Sequence, residues 1–136
     1  MKPIRTAVAV ALAGIGLLLG VVTARAHHSL SSEFDISKTV TIVGTVTKMD
    51  WTNPHAWLHL EVKDERGQVQ AWNIEFGSPN SLYRRGWRRT DLPAAVVVTV
   101  TGYASKDGSR TISASDVKLP DGRTLFAGTR PGGAGQ

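Results

Sequence analysis

TVTIVGTVTKMDWTNPHAWLHLEVK, residues 39–63, is the stretch that decides the fold of this chain. Its first part, residues 39–49, is rich in β-branched side chains and predicts a strand. Gly44 lies inside that strand and predicts a bulge or a sharp bend. The block from Asp50 to Pro54 predicts a turn, and residues 55–63 alternate between polar and apolar side chains, as a second strand does.

The second strand is predicted to have an apolar face and a polar face, because successive side chains of a strand point to opposite sides. The apolar face carries Ala56, Leu58, Leu60 and Val62, and the polar face carries His55, Trp57, His59 and Glu61. A hairpin turn at residues 64–67 then leads to a return strand over residues 68–76. There, Trp72, Ile74 and Phe76 share one face, and Ala71, Asn73 and Glu75 share the other.

The next segment has the signals of one short helix. Ser78 is suited to the N-cap, Pro79 to the first helical position and Gly86 to the end, with Trp87 following as an apolar anchor. Two further strands are predicted at residues 95–103 and 111–119, with a short run at residues 124–126.

This order of elements predicts a mainly β fold, a small OB-like five-stranded barrel with one short helix after the third strand. In such a barrel the long first strand bends so that it contributes to both sides of the barrel, and Gly44 lies where this bend is expected. An open β-sandwich, or a split meander with one helix, is the alternative. The boundaries are 27–38 for an N-terminal segment, 39–127 for the β-domain and 128–136 for a Gly-rich tail that we expect to be disordered.

Residues 1–26 have the pattern of a secretory signal peptide. Lys2 and Arg5 precede an uncharged apolar run, and an Ala-x-Ala arrangement ends at Ala26. We therefore expect cleavage after Ala26 and a periplasmic mature protein with no stable membrane insertion. An uncleaved N-terminal anchor is the alternative, and it also places the domain outside the cytoplasm.

The charge and the cysteine content of the chain exclude some classes of partner and site. Removing the three basic residues Lys2, Arg5 and Arg25 lowers the formal charge from +5 to +2, so a nucleic-acid partner is not expected. The chain has no cysteine, which excludes thiolate metal sites and cysteine nucleophiles. An envelope protein or a small ligand is the expected partner, and the sequence does not determine the oligomeric state.

Several motifs together resemble a family of small exported proteobacterial proteins of unknown function, DUF6152. They are Ala26-His27-His28-Ser29, Glu33-Phe34-Asp35, Val43-Gly44-Thr45-Val46, Asp50-Trp51-Thr52-Asn53-Pro54-His55-Ala56-Trp57, Gly77-Ser78-Pro79-Asn80-Ser81-Leu82 and Arg84-Arg85-Gly86-Trp87. The resemblance covers nearly the whole mature chain. It supports one exported domain and implies no activity.

Four histidines are candidate metal ligands: His27, His28, His55 and His59. Cleavage after Ala26 would give His27 both a terminal amine and an imidazole, a pair that suits copper(II). His55 and His59 are about 13 Å apart along one strand, too far for one ion to bind both directly. We therefore expect a copper or zinc site, if any, to pair His27 or His28 with one strand histidine, and Glu75 is a possible further ligand. The alternative is that all four histidines lie at the surface or in flexible segments.

Two further surfaces are candidates for ligand binding. An aromatic and polar face combines Trp51, Asn53, His55, Trp57, His59, Asn73 and Glu75, and its tryptophans could stack a sugar or a base. A basic cluster of Arg84, Arg85, Arg88 and Arg89 could hold phosphate groups, acidic glycans or an acidic partner. The alternatives are that the tryptophans cover the barrel end or pack under the helix, and that the arginines form a solvated face.

A search for catalytic motifs finds none. The sequence has no nucleophile elbow, phosphate loop or HExxH motif. We therefore predict a non-enzymatic binding module, with a copper or zinc binding protein as the alternative. A metal-dependent enzyme is a third and weaker interpretation, because it needs the same site with an open coordination position.

Overall fold

The computed structural model describes residues 30–128. The elements are α1 (Leu30–Glu33), β1 (Val40–Asp50), β2 (Trp57–Lys63), β3 (Val69–Glu75), α2 (Pro79–Arg84), β4 (Val97–Ala104), β5 (Thr111–Lys118) and β6 (Thr124–Phe126). Residues 1–29 and 129–136 lie outside this range. The predicted signal peptide and nearly all of the predicted tail therefore fall outside the described residues.

The strands form a closed barrel. They follow the order β3-β2-β1-β4-β5-β6, and a parallel pairing of β3 with β5 closes the first five strands into a ring. The five-stranded ring, with α2 after the third strand, confirms the predicted OB-like barrel. β6 is an extra strand, which pairs antiparallel with β5.

The closure depends on β1, which pairs with a different neighbour through each half. Residues 40–45 pair with β4, and residues 45–50 pair with β2. Gly44 is buried where β1 changes partner, and a Cβ there would lie 3.0 Å from the carbonyl oxygen of Glu61. The register irregularity lies between Val46 and Lys48, so the bulge expected at Gly44 is three residues further along. Gly44 instead permits the close approach of β2.

The core is built from the apolar faces that the alternation predicts. Its largest fully buried side chains are Trp87, Phe76, Leu58, Leu60, Ile74, Leu82, Ile112, Val46, Val98, Val100 and Val117. Trp87 is the predicted anchor. Its indole Nε1 donates to the carbonyl of Phe126 at 2.8 Å, which satisfies the one polar atom that burial would otherwise penalise.

The short helix α2 has the predicted ends. The Ser78 side chain accepts from the backbone N–H of Ser81, and Pro79 opens the first turn. Gly86 has a φ of 98°, a conformation that glycine adopts without steric cost. The helix therefore begins and ends where the sequence predicts.

Residues 30–33 of the N-terminal segment form a helical turn. Phe34 follows this turn, and its side chain is buried. Backbone bonds hold the segment against the end of β4: Asp35 N donates to Ala104 O at 2.9 Å, and Lys106 N donates to Glu33 O at 2.8 Å. None of the helices within residues 30–128 has the length and apolar character that a membrane-spanning helix requires.

We predict that Gly102→Ala destabilises the barrel by about 3 kcal/mol, because overpacking a tight site forces backbone shifts. The new Cβ would collide with the carbonyl oxygen of Ser113 and lie 2.8 Å from Ile112 Cγ2. Gly77→Ala is the matched control, since its Cβ would lie 3.7 Å from the nearest atom, the Ala127 carbonyl oxygen. Urea unfolding should show a large loss for the first variant and little change for the second. Equal stability of the two variants would contradict this packing.

Candidate functional site

The polar side chains of interest lie on the outer face of β1, β2 and β3. On β2 this face carries Trp57, His59, Glu61 and Lys63, and on β3 it carries Val69, Ala71, Asn73 and Glu75. Cross-strand pairing sets Trp57 beside Glu75, and His59 beside Asn73. The alternation therefore placed these side chains on a shared face correctly.

His59 is held between two side chains. Its Nε2 donates to Asp50 Oδ2 at 3.1 Å, and its Nδ1 lies 2.9 Å from Asn73 Oδ1. Lys48 Nζ lies 2.8 Å from the other carboxylate oxygen of Asp50. The hydrogen bond from Lys48 and then the one from His59 lower the pKa of Asp50 below its ordinary value. Residues from three strands thus form one hydrogen-bonded array.

The bulge in β1 positions this array. After the irregularity at Thr47, Lys48 pairs with His59 and Asp50 pairs with Trp57. Thr47 Oγ1 donates to the backbone carbonyl of His59 at 3.1 Å, which ties the bulge to β2. A bulge re-aims the side chains that follow it, and here it directs Lys48 and Asp50 toward the histidine.

The array lies in an open groove of about 520 Å³. Its lining residues are Thr47, Lys48, Asp50, His59, Leu60, Glu61, Ala71, Trp72 and Asn73. Two of these, His59 and Asn73, are predicted site residues. Sequence reasoning missed Lys48 and Asp50, because their orientation depends on the bulge and not on a local pattern.

His55 and Glu75 form a second pair on the same side of the barrel. The His55 Nδ1 contacts Glu75 Oε1, and the imidazole is 49% exposed while the carboxylate is only 14% exposed. Burial raises the pKa of Glu75, the charge of His55 opposes this effect, and the charge of Glu33 adds to it. Burial is thus the largest effect on the pKa of Glu75, and it disfavours the charged carboxylate.

The two predicted tryptophans differ in environment. The Trp51 ring stacks on Tyr83 of α2 with centroids 5.5 Å apart, and the Arg89 guanidinium lies 5.5 Å from the Trp51 centroid. The Trp51 ring therefore contacts both the helix and an arginine. Trp57 lies half-buried on the outer face, between the two polar pairs, and Asn53 lies exposed in the β1–β2 loop.

The arginine cluster is largely engaged within the protein. The Arg85 guanidinium lies 4.3 Å from the Phe126 ring centroid, and its Nε donates to Ser81 Oγ at 3.3 Å. Arg88 Nη1 donates to the carbonyls of Tyr83 and Trp87. Arg84 is exposed at the end of α2, where its charge suits the helix dipole. These contacts give most of the cluster a structural role.

Two of the four predicted metal ligands, His55 and His59, lie within the described residues. His27 and His28 lie outside the described residues. His59 has both ring nitrogens in hydrogen bonds, whereas His55 contacts Glu75 through one nitrogen. Within residues 30–128, no three histidine, aspartate or glutamate side chains are grouped so that they could hold a metal ion.

We predict that Glu75→Gln changes how stability depends on pH. The raised pKa means that folded protein still holds a proton at pH values where the unfolded chain has released it. The stability contribution of Glu75 therefore falls as pH rises from the ordinary value of 4.5 through the folded pKa. Urea unfolding should therefore show that the free energy of unfolding of Glu75→Gln, relative to that of wild type, increases as pH rises through this interval.

Glu61→Gln is the control for this experiment, because it removes an exposed carboxyl group from the same face. A stability difference for Glu75→Gln that stays constant with pH, or that moves in favour of wild type as pH rises, would contradict the buried position of the carboxyl group.

Comparison with known proteins gives a family and no activity. No curated protein matches the chain. A family model described as a family of unknown function, DUF6152, matches residues 16–114, which extend from the apolar N-terminal run into β5. This match confirms the resemblance carried by the motifs, and the chain belongs to the DUF6152 family.

Proposed function

We propose that this protein is a non-enzymatic binding module that takes a small polyhydroxylated ligand, such as an oligosaccharide, in the groove on β1, β2 and β3. The observation that carries the proposal is the array of Asp50, His59 and Asn73 inside that groove. Side chains that already hold one another lose little conformational entropy when a ligand arrives, so they favour binding.

The chemistry of the groove favours a ligand with many hydroxyl groups. Lys48 offers donors, Asp50 and Glu61 offer acceptors, and Asn73 offers both. Trp57 adds an apolar ring next to Asp50 and Glu75. Sugars present hydroxyl groups at their edges and apolar patches on their faces, and the corresponding face of OB barrels binds oligosaccharides in other proteins.

The same array argues against catalysis. A general base needs a nitrogen that can reach the substrate proton, but both ring nitrogens of His59 are occupied. The nearby hydroxyl of Thr47 donates to the His59 backbone carbonyl, so it is not activated by the imidazole. Binding is the function that this arrangement supports.

We further propose export through the N-terminal segment, with cleavage after Ala26 and a periplasmic location. The support is the charged, apolar and small-residue pattern of residues 1–26. In that compartment, an envelope protein or a small ligand remains the proposed partner.

The second candidate function is copper or zinc binding, and the contact between His55 and Glu75 favours it. Glu33 acts electrostatically on Glu75, and Glu33 belongs to α1, which begins at Leu30. His28 is two residues before Leu30, and two residues span at most about 7 Å. The proposed site combines the N-terminal histidines with His55 and Glu75, and His59 is not a ligand in this proposal.

We predict that N,N′,N″-triacetylchitotriose or maltotriose binds with a Kd of about 1 mM or tighter, which is worth about 4 kcal/mol. Tryptophan emission without added metal would report binding. His59→Ala should weaken it about tenfold, or by about 1.4 kcal/mol, because the array loses its central member. His55→Ala is the matched control and should bind as wild type, since His55 does not line the groove. No emission change with either sugar, or equal effects of both variants, would contradict the sugar site.

We predict a separate result for metal. The purified protein should have a mass that begins at His27, and calorimetry with copper(II) should show one site weakened about tenfold or more by His55→Ala and by His27→Ala. His59→Ala should leave the affinity unchanged, because both of its ring nitrogens have other partners. A Kd no tighter than about 10 µM, or about 7 kcal/mol, would contradict the metal candidate.

A further inference from the structure

A second cavity adjoins the groove on the outer face, and three valines contribute to its lining. It has a volume of about 410 Å³ and is lined by Val43, Gly44, Thr45, Glu61, Lys63, Val69 and Val97. The three valines are 55%, 54% and 53% exposed. Within residues 30–128, only one other large hydrophobic side chain, Ile36, is classed as exposed.

The fold gathers these valines from three different strands. Val43 is on β1, Val69 is on β3 and Val97 is on β4. They meet around the place where β1 leaves β4 to pair with β2. A cluster of half-exposed valines costs free energy in water, whereas scattered single ones are ordinary. We call Val43, Val69 and Val97 the valine patch.

Two opposite charges border the valine patch. Glu61 and Lys63 are the charged residues of its lining, and both are exposed. They are two positions apart on β2, so they share the outer face at a separation of about 7 Å. Within the described part of the chain, neither forms an ion pair.

We propose that the valine patch is an interface between two copies of this chain. When two sheets pack face to face through an isologous contact, the two-fold axis lies in the plane between them. If this axis is perpendicular to β2 and passes over Val62, the two β2 strands run antiparallel across the interface. Glu61 of each copy then faces Lys63 of the other copy. An axis along β2 would instead set like charges against each other. The order of charges on β2 thus fits a second copy in one orientation.

This interface goes beyond the proposed function, although it shares Glu61 with the ligand groove. The patch is small, so the dimer forms at high protein concentration, in the range of weak and transient complexes. Burial of six valines, three from each copy, supplies the attraction, while the paired charges set the orientation.

Sedimentation velocity over a concentration series tests the interface with the full protein. Wild type should show a monomer–dimer equilibrium with a Kd of about 1 mM or tighter. Glu61→Lys and Lys63→Glu should each weaken the dimer about tenfold, because each sets two pairs of like charges in contact. The double variant, which exchanges the two charges, should restore wild-type association.

Val97→Lys should also abolish the dimer while preserving the far-UV circular dichroism spectrum, since the side chain is exposed. Wild type that stays monomeric throughout the series would overturn the proposal. A double variant that associates no better than the single ones would overturn it as well, because rescue by exchange requires that each residue faces the other across the two-fold axis.

Discussion

The structure depends on one strand that pairs with two neighbours. β1 bonds to β4 through residues 40–45 and to β2 through residues 45–50, and without both halves the ring of five strands would not close. The change of partner needs Gly44, because a side chain there would press on the backbone of β2. The bulge that follows at Thr47 shifts the register between the second half of β1 and β2 by one residue.

The outer face has two distinct regions, on either side of the place where β1 changes its pairing from β4 to β2. At one end, Lys48 and Asp50 of β1 meet His59 and Asn73 in the groove. At the other end, valines from three strands line a second cavity together with Glu61 and Lys63. Glu61 lines both cavities, so the two surfaces are continuous. We interpret the first as a ligand site and the second as a contact between copies.

The sequence predicts the elements of this fold well, because the signals for them are local. Alternation identified the faces of β2 and β3, and Ser78, Pro79 and Gly86 marked the ends of α2. The contacts within the site were not predictable, since they depend on register between distant strands. A bulge at Thr47 has no signal in the sequence, and nothing local indicates that Trp51 stacks on Tyr83 or that His55 meets Glu75.

The barrel fixes His59 between Asp50 and Asn73 before any ligand arrives. Long-range proton–nitrogen NMR of the histidine side chains tests this most directly. A ring N–H of His59 should exchange slowly enough with water to be observed, with the nitrogen shift of a hydrogen-bonded imidazole, and Asp50→Ala should abolish that signal because it removes the acceptor. A His59 ring that exchanges as fast as free histidine, with no observable N–H, would contradict it.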